Sequence, residues 1–288
     1  MSTHVKRALI GASAAALLLG VSASAQSGPD ANLSPKRVVL DPSERAATVF
    51  VFNQGDRPAT YTVELVDRLM RPDGQIVALA DLSPQERAAA QARLRSAREM
   101  VQFTPRRVTL GPNQSQAVRI RAQRPGGLAE GEYRTHLTVT AVPPADAGVT
   151  AEQAVNPAAG EVGVRVNALF GLSIPVIVRQ GRPDVRARLE NVRYTRGDTG
   201  PTASVEVVRE GASSVYGDVE VRAAGRVGRS GTVLGRVRGV GVYPEIERRT
   251  IRVPLSRAPG AGERLEAVFL DDDTRSGQVL ASTAVQPG

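Results

Sequence analysis

The sequence predicts an all-β protein of two immunoglobulin-like β-sandwich domains, with one short helix inserted in the first. Two observations carry that expectation. Short runs rich in β-branched and aromatic residues recur between turn residues along most of the chain, the pattern of antiparallel sandwiches. One run in the middle, Val162 to Val178, places an apolar side chain at every second position without a break, and only an extended strand turns that period into a single face. A length of 288 residues, set against roughly 150 per domain, supports two domains. The expected divisions are a leader over residues 1–25, a first domain over 26–180 and a second over 181–288.

The leader comes first in order. Lys6 and Arg7 precede an apolar stretch from Ala8 to Val21, and Ala23-Ser-Ala25 offers the small residues that a signal peptidase reads. Cleavage after Ala25 and export of a soluble chain are expected. The stretch is short and Ala-rich for a membrane span, and no later segment approaches the roughly 18 apolar residues that a span needs. The chain has no Cys, so neither a lipid anchor on sulfur nor a disulfide framework is available. Without Lys6 and Arg7 the basic residues fall from 37 to 35, against 29 acidic ones. Such a mild excess, with Arg scattered through strands and only 3% aromatic residues for stacking, argues against nucleic acid as a partner.

After a Ser/Gly/Pro/Asp-rich stretch from Gln26 to Asn32, six strands are expected in the first domain: Arg37 to Leu40, Ala47 to Phe52, Ala59 to Val66, Val101 to Leu110, Gln116 to Ala122 and Tyr133 to Val142. Asp41-Pro-Ser, Asn53-Gln-Gly-Asp, Arg71-Pro-Asp-Gly and Gly111-Pro-Asn punctuate them. One helix is expected from Ser83 to about Arg98, with Ser83 as its cap, Pro84 at the first position and Glu86 at the third. Its Ala/Gln/Arg/Glu composition leaves little apolar face, as in a solvated insertion. Pro143 to Gly160 lacks any period and reads as a loop.

The run from Val162 to Val178 follows. Gly163, Gly171 and Pro175 occupy its alternate register, and a Pro, having no N–H to donate, suits an edge strand. A long apolar edge invites pairing with another chain, so self-association through this edge is one expectation. Gly181 and Pro183 mark a hinge. Seven further runs then suit a second sandwich: Val185 to Tyr194, Ala203 to Arg209, Val215 to Ala223, Thr232 to Val242, Thr250 to Leu255, Leu265 to Leu270 and Val279 to Val285.

Little in the chain reads as catalytic chemistry. Beyond the leader the only His is His136, so zinc sites and Cys-His catalysis have no ligand set. The expectation for His136 is a strand residue making a local hydrogen bond. Gly225 to Gly231 is Gly-rich but lacks the Lys of a phosphate loop and reads as a turn. Asp271-Asp-Asp273 is compatible with calcium, but a solvated hairpin tip is the reading expected of it. No enzyme, no cofactor and no metal are expected.

Several stretches, in this order and spacing, resemble a known family: Ser34-Pro-Lys-Arg-Val-Val-Leu40, Glu44 to Asn53, Asp56-Arg-Pro58, Phe103 to Leu110, Gln116 to Ile120, Gly131-Glu-Tyr-Arg-Thr-His-Leu137, the long alternating strand, Ser213 to Asp218 and Val242-Tyr-Pro-Glu245. The chain resembles the periplasmic pilus (fimbrial) chaperones of the chaperone-usher pathway, in a divergent branch, and the resemblance covers nearly all of it after the leader. It implies two immunoglobulin-like domains set at an angle around a cleft, in a periplasmic protein. It implies further that the long edge strand is lent to a pilin-like subunit whose own sandwich is incomplete, and that the subunit is delivered to an outer-membrane usher. Val164, Val166 and Ala168 are the donor side chains on that resemblance, with Val162 and Phe170 flanking them. In the family an Arg and a Lys in the cleft bind the subunit's C-terminal carboxylate. Arg37 falls at the Arg position and Ser173 at the Lys position, so the second cation is missing. Lys36 is expected on the opposite strand face, leaving Arg134 or Arg165 to compensate. The alternative reading is a periplasmic or surface-associated scaffold without a part in pilus assembly, which the loss at Ser173 favours.

Overall fold

The computed structural model describes residues 30–143, 171–197, 200–223 and 231–287. It is an all-β, two-domain structure. The first domain is a sandwich. One of its sheets has the order β1-β3-β9-β7, built from β1 (Ala31–Ser34), β3 (Ala46–Asn53), β9 (Ser115–Ala122) and β7 (Val101–Thr104). The facing sheet has the order β2-β11-β10-β4-β8, from β2 (Val38–Leu40), β11 (Gly171–Gln180), β10 (Gly131–Val142), β4 (Ala59–Val66) and β8 (Arg107–Leu110). Strand alternation sends Val49, Val51, Val118, Ile120, Tyr61, Val63, Leu137, Val139, Ile174 and Val176 into one core between them.

Three features depart from the sequence reading. The expected strand Val101 to Leu110 is two strands, β7 and β8, which belong to different sheets, the chain crossing at Pro105, where there is no N–H to continue a ladder. β1 occupies part of the stretch read as irregular, because its pairing with β3 (Asn32 opposite Phe52) is a tertiary contact that four residues do not announce. A hairpin of β5 (Arg68–Met70) and β6 (Ile76–Ala78), turned by Arg71-Pro-Asp-Gly74, precedes the helix. Its strands are too short to show a period.

The helix α1 runs Pro84–Arg93 and begins as expected, with Ser83 and Glu86 forming a reciprocal capping box. It ends about five residues early, and the reason lies in β10. The N–H of Arg134 donates to the carbonyl of Arg95 (2.8 Å), and the N–H of Ala97 donates to the carbonyl of Arg134 (3.2 Å). Those backbone groups pair with a strand instead of extending the helix. Within α1 only Ala90 is buried, in keeping with a solvated insertion.

The second domain carries the seven expected strands: β12 (Ala187–Gly197), β13 (Gly200–Arg209), β14 (Val215–Ala223), β15 (Val233–Val242), β16 (Arg248–Pro254), β17 (Leu265–Asp271) and β18 (Val279–Pro287). They form one continuous sheet, β15-β14-β17-β18-β12-β13-β16, that wraps a single core. β18 joins its two halves: it pairs antiparallel with β17 over most of its length and parallel with β12 at Gln286 and Pro287. Gly217 allows the closest approach inside this sheet, since a Cβ there would lie 1.8 Å from the Leu270 carbonyl oxygen.

β11 is packed on both faces. Ile174, Val176 and Val178 enter the first core, while Ile177 on the opposite face belongs to the second core, as does Met70 from the inserted hairpin. Val39 and Ile76 pack against the same cluster. Apolar side chains from β2, β11 and the hairpin thus weld the two domains.

Candidate functional site

β11 is flanked along its whole length by β10, from Gly131 opposite Gln180 to Thr140 opposite Gly171. On its other side β2 pairs in parallel with Val176 to Val178 alone. Among the described residues, Gly171 to Pro175 therefore have a strand neighbour on one side only, which is the edge that Pro175 suggested. The donor residues Val162, Val164, Val166, Ala168 and Phe170 lie outside the described residues, as do Arg165, the leader and Gly225 to Ser230.

Parity gives this strand a second function. With Ile174, Val176 and Val178 turned inward, Ser173, Pro175, Ile177 and Arg179 line the face toward the second domain, as Arg37 and Val39 do beside Val38 and Leu40. Arg37 meets a carboxylate there. Its Nη2 donates to Asp273 Oδ2 (2.9 Å) and to Ser214 Oγ (3.3 Å), and its guanidinium lies 4.5 Å from the centre of the Tyr216 ring. The Arg37 side chain is 9% exposed, and its Nε and Nη1 are buried without a hydrogen-bond partner.

Asp273 is shared. Arg179 donates to it from Nη2 (2.5 Å to Oδ2) and Nη1 (3.3 Å to Oδ1) and also reaches Glu132 Oε2 from Nε (3.2 Å) and Nη2 (3.1 Å). The backbone N–H and the hydroxyl of Ser214 donate to that same oxygen of Glu132. Two arginines and two carboxylates, all nearly buried, make a neutral cluster between the domains, the balance that a low-dielectric site demands.

The Asp271 to Asp273 hairpin is consequently not a solvated tip. Asp271 is 1% exposed and accepts from the backbone of Asp273, Thr274 and Arg275 and from the Thr274 hydroxyl, which folds the loop and aims Asp273 at Arg37. Gly181, beyond the end of β11, has a φ of 78°, a left-handed turn that glycine takes without strain.

Ser173 and Arg37 share a face, but no hydrogen bond joins them. The Ser173 hydroxyl is engaged with that of Thr138, directly opposite on β10 (3.0 Å). Lys36 is exposed and reaches Asn32, away from the cluster. Arg134 does not compensate for the missing cation, because both of its Nη groups bind Glu245 (Nη1 to Oε2 3.1 Å), one of them also binds the Arg68 carbonyl, and its guanidinium stacks 3.8 Å from the centre of Tyr243.

Glu132, Arg179, Ser214, Tyr216 and Asp273 were not singled out as site residues by the sequence reading. The available signal was parity: a charged residue on the non-core register of a strand that has no solvent face must have a partner in another element.

His136 sits on β10 between Val66 and Pro175 of the flanking strands and is 2% exposed. The local hydrogen bond expected of it is not made at Nδ1, which is buried without a partner. Burial, reinforced by the Arg134 and Arg68 charges, holds the imidazole well below its usual value. The folded chain therefore refuses a proton that the unfolded chain takes up below about pH 6.5. Stability is expected to fall as the pH drops from 6.5, by up to about 1.4 kcal/mol per pH unit until the folded ring titrates. Urea midpoints at pH 7 and pH 5.5 check this: the fall should be smaller in His136→Leu, and an equal fall in both proteins would remove His136 as its source.

No family model matches the chain, and no curated protein does. Among solved structures it is similar to several chaperones. These include the Escherichia coli chaperone DraB (16% identity over 90% of this chain and 98% of that one, TM-score 0.41) and the Salmonella enterica SafB chaperone in complex with SafA pilin (14%, 90% and 97%, 0.42). Another is the CsuC–CsuE chaperone–tip adhesion subunit pre-assembly complex of the archaic chaperone-usher Csu pili of Acinetobacter baumannii (10%, 90% and 99%, 0.42).

Proposed function

We propose that this protein is a non-enzymatic periplasmic chaperone that caps pilin-like subunits by lending them its long edge strand and passes them to an outer-membrane usher. The observation that carries the reading is the one-sided pairing of Gly171 to Pro175, which belong to the alternating run from Val162 to Val178. An edge of that kind offers free N–H and C=O groups for strand addition, and alternate apolar side chains supply the register. In this reading Val164, Val166 and Ala168 fill the groove of an incomplete subunit sandwich, Val162 and Phe170 flank them, and Arg37 receives the subunit's terminal carboxylate. A planar guanidinium with unspent Nε and Nη1 donors suits that ligand.

Val166→Asp tests the reading. A carboxylate forced into an apolar groove costs several kcal/mol, so the subunit, left uncapped, should be depleted from the periplasm by tenfold or more, about the least that such a cost implies. Undiminished subunit levels with this variant, in cells that make the pilus, would overturn the proposal.

A further inference from the structure

We infer that Arg45, Arg121 and Arg124 form a binding site for a phosphate group, at the end of β11 away from its one-sided edge. The site does not depend on the reading of Arg37. Strand pairing assembles it. β3 and β9 run antiparallel with Ala46 opposite Arg121, and the Ala122 N–H donates to the carbonyl of Arg45 (2.9 Å), which brings the first two arginines to the same end of the pair. Arg121 takes the outward register of β9, since Ile120 and Ala122 on either side of it are buried. Arg124 follows two residues beyond the strand, and the adjacent ends of β2 and β11 hold it: Nη2 donates to the Leu40 carbonyl (3.0 Å) and Nε to the Arg179 carbonyl (3.3 Å).

The three arginines line one cavity of about 390 Å³ with Pro42, Gln123 and Gln180, and no carboxylate lines it. Sites for small ligands have volumes of this order. Among the described residues none of the three forms an ion pair. The carboxylate whose charge acts on Arg124 is that of Asp41, and it is committed to its own turn, where Oδ1 accepts from the N–H groups of Ser43 and Glu44 and from the Ser43 hydroxyl. Partial burial, and then the repulsion of Arg45, push Arg124 below the usual guanidinium value, with Asp41 opposing them. A guanidinium keeps its proton even so, and what remains is a cation repelled by its neighbour in a cavity that holds no anion of the chain.

That surplus selects the ligand. Three cations against one carboxylate leave two charges unmatched. A phosphate monoester carries about −1.5 to −2 at pH 7 and offers three strong acceptor oxygens, and guanidinium forks take phosphate oxygens in pairs. A lone carboxylate brings one charge and two oxygens. Gln180 ends β11 and Gly171 begins it, so at the rise of an extended strand the site lies roughly 30 Å from the edge proposed to pair with a subunit, and both can be occupied at once. Free phosphate and the headgroup of a phosphate-bearing lipid present the same chemistry to it.

The test titrates inorganic phosphate into the protein by calorimetry at fixed ionic strength, with acetate as the comparison. In parallel the protein is sedimented with vesicles of phosphatidylcholine alone or mixed with phosphatidic acid. Phosphate should bind more tightly than acetate, and either Arg45→Gln or Arg121→Gln should weaken it about tenfold, the loss of one charge-assisted contact. Arg119→Gln, on the same face of β9 but outside the cavity, should leave binding nearly unchanged. Phosphate binding without sedimentation assigns the free ion as ligand. Sedimentation that requires phosphatidic acid and is lost in Arg121→Gln but kept in Arg119→Gln assigns the lipid headgroup. Equal losses in Arg119→Gln and Arg121→Gln would reduce the site to diffuse basic charge and overturn it, as would acetate bound as tightly as phosphate, or no binding of either phosphate or vesicles. A measurement on the wild type guards against misfolding of the variants: the Nε–H resonances of Arg121 and Arg124 should move as phosphate is added and stay as acetate is added. No movement while phosphate binds counts against the site.

Discussion

Replacing Arg179 with alanine is expected to destabilise the protein by about 3–5 kcal/mol, the cost of breaking a buried ion pair from one side. The size follows from what is left behind. Glu132 and Asp273 would each lose a cation inside a region where their side chains are 1% and 3% exposed, and only Arg37 and Ser214 would remain to face them. Arg179→Lys should recover only part of the loss, because the planar fork that serves two carboxylates at once is not available to an ammonium on a flexible stem. Glu132 stands on the first domain and Asp273 on the second, so the variant also loosens the joint between them. Calorimetry should show the change as a lower midpoint and a separation of one transition into two. A midpoint within a degree of the wild type would mean that the cluster contributes nothing net.

The strand pattern was legible in the sequence because it rests on local chemistry. Every strand of the second domain lies within about three residues of its expectation, since alternating Val, Ile and Leu between Gly, Pro and Asp turns needs no knowledge of partners. The capping box at Ser83 is local in the same sense, whereas the early end of α1 is not, being set by pairing with Arg134 some forty residues away. The same division runs through the site. Arg37 and Ser173 were read by position along a resemblance alone. Their partners Asp273 and Thr138 come from elements that only the fold brings near. Asp271-Asp-Asp273 shows the difference most sharply. Three adjacent carboxylates in a hairpin suggest a wet surface, and the opposite holds for two of them: Asp273 because Arg37 and Arg179 are on the facing domain, and Asp271 because its own loop folds around it. Arg134 misled for the same reason: its charge was visible, but Glu245, which neutralises it, is 111 residues distant.

The second joint between the domains separates the worth of an ion pair from the cost of breaking it. Arg134→Ala should destabilise the chain by about 3–5 kcal/mol, because Glu245, 2% exposed in its side chain, would keep only the Met70 N–H as a close donor. Exchanging both partners for apolar residues of similar size, Arg134→Met with Glu245→Leu, removes the stranded charge and should be far milder. It should not be neutral. Met70 N–H donates to Glu245 Oε1 at 2.8 Å, and the Arg68 carbonyl accepts from Arg134 at 3.0 Å, so the double replacement leaves one buried donor and one acceptor unmatched at about 1–3 kcal/mol for each such group. Both belong to the β5 strand of the inserted hairpin, the element that also sends Met70 into the second core. The expected order by denaturant unfolding is therefore wild type, then the double variant, then Arg134→Ala, with hydrogen exchange in the double variant raised first at Arg68 to Met70. Were the double variant as stable as the wild type, the ion pair would be dispensable to the joint, and the apolar contacts of Met70, Ile76 and Ile177 would suffice to fix the hairpin. A double variant as unstable as Arg134→Ala would instead locate the stabilisation in the hydrogen bonds that Glu245 and Arg134 extend to the hairpin backbone.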